Sequence, residues 1–162
     1  MSVVNILKEA DIFDDLSLAQ LELVASICTE RHYHIGDMIF EENTVGDELY
    51  VIASGEVQIM VNPALVGRDI ESGLYAIATL RRGQSFGEIA LVDEGIRSAG
   101  AFCSNSNTHL VVIPRERLMA LCDAQTELGY RLMRNLAADL AMKIRQADLQ
   151  IREQLTWSHG DK

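Results

Sequence analysis

Over the first thirty residues the apolar positions fall three and four apart. Val3, Val4, Ile6 and Leu7 recur at helical intervals, and Leu18, Leu21, Val24, Ala25 and Cys28 would line one face of a second helix. Ser17 with Gln20 three positions on is a capping-box signature, so that helix is predicted to open at Ser17. From about Arg31 the period drops to two, in short runs such as Leu49–Ile52, Val57–Val61, Ala76–Leu80 and His109–Ile113. Gly36, Gly46, Gly55, Gly83 and Gly87 punctuate those runs, and the irregular stretch 62–73 reads as a hairpin loop. After Pro114, which suits the first turn of a helix, the 3.6 period returns. A short helix is predicted over Arg115–Cys122 and a long one from about Thr126 toward Trp157.

Helix, strands, helix in this order predict a mainly β, α+β fold: an antiparallel β jelly-roll barrel flanked by N-terminal helices and a long C-terminal helix. One domain is expected over 1–162, with helices over 1–30, the barrel over 31–114 and helices over 115–157.

Composition narrows the function. A net charge of −10 argues against a nucleic-acid surface, which needs clustered Lys and Arg, and against a polybasic membrane anchor. No apolar run approaches membrane-spanning length and no signal peptide opens the chain. Cys28, Cys103 and Cys122 are odd in number, lack a CxxC pair and sit among apolar neighbours. They are expected to be small buried hydrophobes in a reduced cytosol, so the expected compartment is the cytoplasm.

The chemistry concentrates in residues 83–99. Phe86 and Gly87 end a strand, and Glu88 to Val92 can form a helical turn. Gly87 lets a backbone come close to a ligand, and the first amides of the turn favour an anion. Arg97 brings a permanent cation with a planar fork suited to phosphate. Glu88 would repel an anion, so its sensible role is to accept from a neutral hydroxyl on the same ligand. An anion plus a hydroxyl describes a phosphorylated sugar.

Phe86, Gly87, Glu88, the pair Ala90 and Leu91, Arg97, and then Ser98 and Ala99 resemble the phosphate-binding cassette of the cyclic-nucleotide-binding domain family, which includes the bacterial catabolite activator protein and the protein kinase A regulatory subunits. Gly36-Asp37, Gly46, Leu49-Tyr50, Ile52 and Gly55-Glu56-Val57 fit the same pattern. The resemblance implies that Arg97 and the backbone amides of about Glu88 to Ala90 hold the cyclic phosphate. It also implies that Glu88 accepts from the ribose 2′-hydroxyl, that Ser98 donates to phosphate or base, and that Ile89 and Ala99 line the apolar wall. Lys143 or Ile144 would face the base. The ligand would be cyclic AMP or cyclic GMP, with cyclic AMP favoured by the likeness to the bacterial activators. The chain departs from the family at Ile96, where Pro is common, and at Gly100 and Ala101, where Thr or Ser and then Val are common.

Two other readings compete. His32 and His34 form an HxH pair that could ligate a metal in a cupin-like enzyme, with His109 as a further ligand, but the nearest later Glu is Glu41. Exposed strand-edge histidines are the simpler expectation. There is no GxSxG and no Cys–His motif, so a non-enzyme is expected. A barrel that had lost its ligand and served as an interaction module should have lost Glu88 or Arg97, and both are present. For Arg97 the plain alternative is a surface ion pair with Asp93 or Glu94.

Met133, Leu136, Leu140, Ile144, Ala147, Ile151 and Leu155 form an apolar stripe along the long helix. The first turns can pack on the barrel, and beyond about Ile144 a two-chain coiled coil is the economical burial, which makes a homodimer the expected assembly. The activator family also dimerises through this helix. No recognition helix follows in this sequence, so the expected protein is a stand-alone sensor whose long helix moves on ligand binding and is read by a downstream protein. A segment of a longer signalling protein would read the same way.

Overall fold

The structure, a computed structural model, describes residues 1–63, 73–93 and 95–159. Most of the stretch predicted as a hairpin loop therefore lies outside the described residues. Helix α1 (Val3–Lys8) is followed by a 3₁₀ turn (Asp11–Phe13) and α2 (Leu18–Ala25). Ser17 caps α2 as predicted: its hydroxyl accepts from Gln20 N–H at 3.2 Å and the Gln20 side chain accepts from Ser17 N–H at 2.9 Å. Leu21 and Val24 are buried, but Leu18 is 63% exposed. It stands in the first turn, clear of the barrel, so the expected apolar face is narrower than the spacing suggested. Cys28 lies beyond the end of α2 rather than on it.

The strands are β1 (Thr29–Tyr33), β2 (Met38–Phe40), β3 (Glu48–Ser54), β4 (Glu56–Val61), β5 (Tyr75–Arg81), β6 (Ser85–Phe86), β7 (Gly100–Phe102) and β8 (Thr108–Pro114). Two four-stranded antiparallel sheets result, ordered β1-β8-β3-β6 and β2-β7-β4-β5. This is the jelly-roll arrangement expected from the glycine-punctuated strands. A short helix α3 (Ile89–Val92) interrupts the second half of the barrel, and α4 (Arg115–Ala124) and α5 (Thr126–His159) follow it. Pro114 closes β8 and caps α4 rather than sitting inside its first turn.

The apolar runs of β3 and β8 are continuous because both faces of these strands are covered. Leu49, Val51 and Ala53 face the helices with Val111 and Ile113, in one cluster with Ile6, Phe13, Leu118, Leu132 and Leu136. Tyr50 and Ile52 face the barrel interior with Leu110 and Val112, beside Val57, Leu80 and Phe86. One sheet thus anchors α5 on its outer face and supplies the floor of the interior on the other. Along α5, Leu128, Leu132 and Leu136 are buried, Met133 and Leu140 are partly buried, and Ile144 is already 62% exposed. The helix leaves the core where the stripe was expected to run out of barrel. Among the described residues no helix is long and apolar enough to cross a membrane.

Candidate functional site

A cavity of about 530 Å³ lies between the inner surface of β4 and β5, the segment from Phe86 to Ala99, and α5 from Met142 to Gln150. Its walls bring together Phe86, Gly87, Glu88, Ile89, Ala90, Arg97, Ser98, Ala99 and Lys143, all nine of the residues singled out in the sequence. Ile144, the alternative to Lys143, is exposed to solvent and does not line it.

Local chemistry explains how the segment is held. Gly87 has φ +81°, a left-handed backbone that L side chains rarely adopt. It turns the chain out of β6 into the turn opened by Glu88, where Leu91 N–H donates to Glu88 O at 3.0 Å. After α3 the chain is pinned again. Arg97 N–H donates to Thr44 O at 2.8 Å and Asn43 N–H donates to Arg97 O at 2.9 Å. With its backbone tied to the 43–44 loop, the Arg97 side chain turns inward and is 6% exposed. The simple alternative of a surface ion pair with Asp93 therefore does not apply, and Glu94 lies outside the described residues.

The seat of Arg97 is built largely from residues the sequence reading did not assign. Its guanidinium carbon stands 3.9 Å from the centroid of the Phe40 ring and 5.5 Å from that of Tyr50. Tyr50 in turn stacks on Phe86 at 4.9 Å. A Cβ at Gly46 would lie 2.3 Å from Arg97 Nε, and one at Gly87 would lie 2.7 Å from Nη1. Two missing side chains and one aromatic face therefore shape the socket. The signal for Gly46 was present, as one rung of the glycine series, but only the folded chain says what it makes room for. Phe40 carried no separate signal.

Charge is distributed unevenly. Among the described residues Arg97 makes one long hydrogen bond, Nη2 to Glu48 O at 3.3 Å, and Nε and Nη1 are buried without partners. A buried, under-bonded guanidinium is costly unless another group completes it, and the Phe40 ring offsets only about 0.5–2 kcal/mol of that. Glu88, also 6% exposed, accepts from Lys143 Nζ at 3.1 Å through Oε1, while Oε2 is buried without a partner. Two under-bonded ionic side chains, Arg97 and Glu88, thus line one cavity. Behind them, Glu48 receives two hydrogen bonds from Arg31, at 2.6 and 2.9 Å, and one from Tyr50 Oη at 2.7 Å. Burial alone would push the Glu48 carboxyl up, but the donors Arg31 and Tyr50 outweigh it and hold Glu48 below the usual glutamate range. Burial, with the Glu48 carboxylate alongside, pushes the Tyr50 phenol up.

His32 and His34 are exposed on or just after β1, an edge strand, and His32 stacks on His109 at 4.3 Å. Among the described residues no group of three potential ligands converges.

Fold and cavity together define a jelly-roll module with a small-molecule-sized pocket between barrel and long helix. The chain belongs to the cyclic nucleotide-binding domain family, whose family model matches residues 30–125. It is 34% identical over 145 residues to the cyclic AMP receptor protein of Thermus thermophilus, covering 90% of this chain and 62% of that protein. The crystal structure of the Thermus thermophilus catabolite activator protein superposes with a TM-score of 0.73 at 32% identity, covering 90% of this chain and 63% of that one. Human cGMP-dependent protein kinase 2 is 29% identical over 112 residues, 69% of this chain and 14% of the kinase. A cyclic nucleotide-binding domain from Methylobacillus flagellatus shares the fold, with a TM-score of 0.80 at 23% identity over 94% of this chain and 82% of that one.

Proposed function

We propose that the cavity binds a cyclic nucleotide, cyclic AMP in preference to cyclic GMP, and that the chain is a sensor relaying occupancy through α5. The carrying observation is the pairing of unmet needs around one cavity. Arg97 Nε and Nη1 lack acceptors and Glu88 Oε2 lacks a donor, all three buried. A cyclic phosphate supplies the acceptors and a ribose 2′-hydroxyl supplies the donor. In this reading Arg97 and the amides of Glu88 to Ala90 take the phosphate, Ser98 adds a donor, and Phe86, Ile89 and Ala99 form apolar wall beside Gly87. The preference for cyclic AMP is supported by the name of the Thermus relative, against which stands the cGMP-dependent kinase.

Relay through α5 is supported by Lys143, which ties the helix directly to Glu88. We read the exposed Ile144 and Ile151 as a dimer seam between two copies of this chain, and 1–162 as one functional unit in the cytoplasm that serves a downstream protein. A net charge of −10 supports partners other than nucleic acid or membrane, and the reading is of a binding module rather than an enzyme.

Isothermal titration with cyclic AMP and cyclic GMP, alongside Arg97→Ala, tests this. Losing charge-assisted bonds of about 1.5–3 kcal/mol each should weaken binding at least about tenfold. Saturable binding to the native chain that Arg97→Ala abolishes is the expected result. Absence of binding to either nucleotide at millimolar concentration would overturn the reading in favour of a ligand-free interaction module.

A further inference from the structure

Two cations converge on one glutamate at the inner face of the first sheet. Arg31 on β1 reaches across β8 to Glu48 on β3, where Nη1 donates to Oε2 at 2.9 Å and Nη2 to Oε1 at 2.6 Å. This is the parallel two-bond pairing that suits a guanidinium and a carboxylate. The second cation, Arg97, meets the same residue differently: its Nη2 donates to the backbone oxygen of Glu48 at 3.3 Å. Tyr50 bridges the Glu48 carboxylate and the Arg97 guanidinium. Its ring centroid stands 5.5 Å from the Arg97 guanidinium carbon, and its hydroxyl donates to Glu48 Oε2 at 2.7 Å.

The electrostatics agree with this placement. Burial works to raise the Glu48 carboxyl, but the Arg31 and Tyr50 hydrogen bonds and the charges of Arg31 and Arg97 hold it below the usual range. The field of Arg97 thus already reaches Glu48. A carboxylate close to a buried guanidinium with two unpartnered nitrogens pairs with it when nothing else claims it. Freed from Arg31, Glu48 would exchange two short bonds for a poorer contact with Arg97, and that contact would occupy the fork a phosphate has to take. With Arg31 in place both carboxylate oxygens are engaged and the Arg31–Glu48 pair carries no net charge. Arg97 keeps its positive charge uncommitted.

We propose that Arg31 is a positioning residue for the ligand site: it holds the Glu48 carboxylate off Arg97 and so leaves Arg97 free for the ligand's phosphate. The inference rests on the cyclic-nucleotide reading above. Arg31 does not line the cavity, and its side chain is 44% exposed. It acts by removing an internal competitor, so its effect on affinity depends on the charge at position 48. A residue that merely steadied the barrel would show no such dependence.

Titration with cyclic AMP and cyclic GMP decides the matter in the native chain, Arg31→Ala, Arg31→Lys, the double variant Arg31→Ala/Glu48→Gln, and Arg97→Ala. Arg31→Ala should weaken binding by about tenfold, the cost of first breaking a charge-assisted contact between Glu48 and Arg97. Adding Glu48→Gln should restore affinity to within about threefold of the native chain, because an amide sets no charge against Arg97. Arg31→Lys keeps the charge that holds Glu48 and should lose no more than about threefold. A double variant as weak as Arg31→Ala overturns the proposal, since support lost from the barrel is not regained by altering Glu48. An Arg31→Ala chain that binds as tightly as the native one overturns it too. In either case the cyclic-nucleotide reading stands if Arg97→Ala abolishes binding. A native chain that binds neither nucleotide at millimolar concentration overturns both.

Discussion

The guanidinium of Arg97 lies 3.9 Å over the ring of Phe40, with Gly46 so close that a Cβ there would stand 2.3 Å from Nε. The guanidinium is held mainly by packing, since its one hydrogen bond among the described residues, to Glu48 O, is 3.3 Å long. A flat ring beneath and an empty position beside it hold the fork in place without consuming its donors. Such an arrangement keeps Arg97 ready for a ligand at the expense of its own satisfaction.

Gly46→Ala should therefore act as a loss of Arg97 function while leaving the arginine in the sequence. The added methyl must displace the guanidinium from Phe40, and affinity for the cyclic nucleotide should fall at least about tenfold. The backbone at Gly46 is in an ordinary region, so the substitution carries no left-handed strain. Thermal unfolding should stay within about 5 °C of the native chain. Unchanged affinity in a titration would mean that Arg97 has another seat available.

Lys143→Met removes the only hydrogen-bond donor to Glu88 Oε1 among the described residues while keeping the helix and most of the side-chain bulk. Glu88 is buried, and leaving its carboxylate unpaired should lower the unfolding free energy by about 1–3 kcal/mol. Adding Glu88→Gln should return part of that loss, because an amide needs no counter-charge. Urea unfolding of the two variants checks this coupling. Additive losses would mean that the ammonium and the carboxylate do not depend on each other.

Glu48 sets the acid limit of the site's floor. Its folded value is depressed, so its contribution to stability is present above the unfolded value and is lost as pH falls through the lower, folded one. Arg31→Ala should move that loss upward, toward the ordinary glutamate range near about 4.3. Tyr50 behaves in the opposite sense: its folded value is raised, so its contribution is present below the unfolded value and fades as pH rises above about 10. Unfolding midpoints measured across the pH range should show both shoulders in the native chain. An acid shoulder that Arg31→Ala leaves in place would detach Arg31 from Glu48.

For the proposed dimer, Ile151→Glu is the direct probe. Ile144 and Ile151 are 62% and 54% exposed and stand two turns apart on α5. A charge on that seam should convert the sedimenting species from two chains to one. Equal sedimentation of native and variant chains would remove the seam.

Much of the fold was legible because its signals are local. Ser17 and Gln20 sit three apart and cap α2 as read, whereas the continuous apolar runs of β3 and β8 gave strands without saying which residues face the helices and which the interior. The cassette was legible as a contiguous run. What escaped is what depends on distant chain segments meeting. Leu18 had the right spacing for a buried face and nothing to pack against. Phe40 lies far along the chain from Arg97, and no local pattern joins them. Lys143 or Ile144 was expected to face a base, and the contact of Lys143 with the backbone oxygen of Ser85 becomes visible only once α5 is laid against β6.

The empty volume at Gly46 changes how related barrels should be sorted. A chain can carry Phe-Gly-Glu and the following arginine intact and still be blind if an ordinary side chain occupies the position equivalent to Gly46. That residue is nowhere near the cassette in the sequence, so a census of the cassette alone would count such a chain as competent. Scoring the two places together separates barrels that can present the arginine from those that only spell it. It also offers engineers a way to silence a sensor with one methyl group, leaving every ligand-contacting side chain untouched.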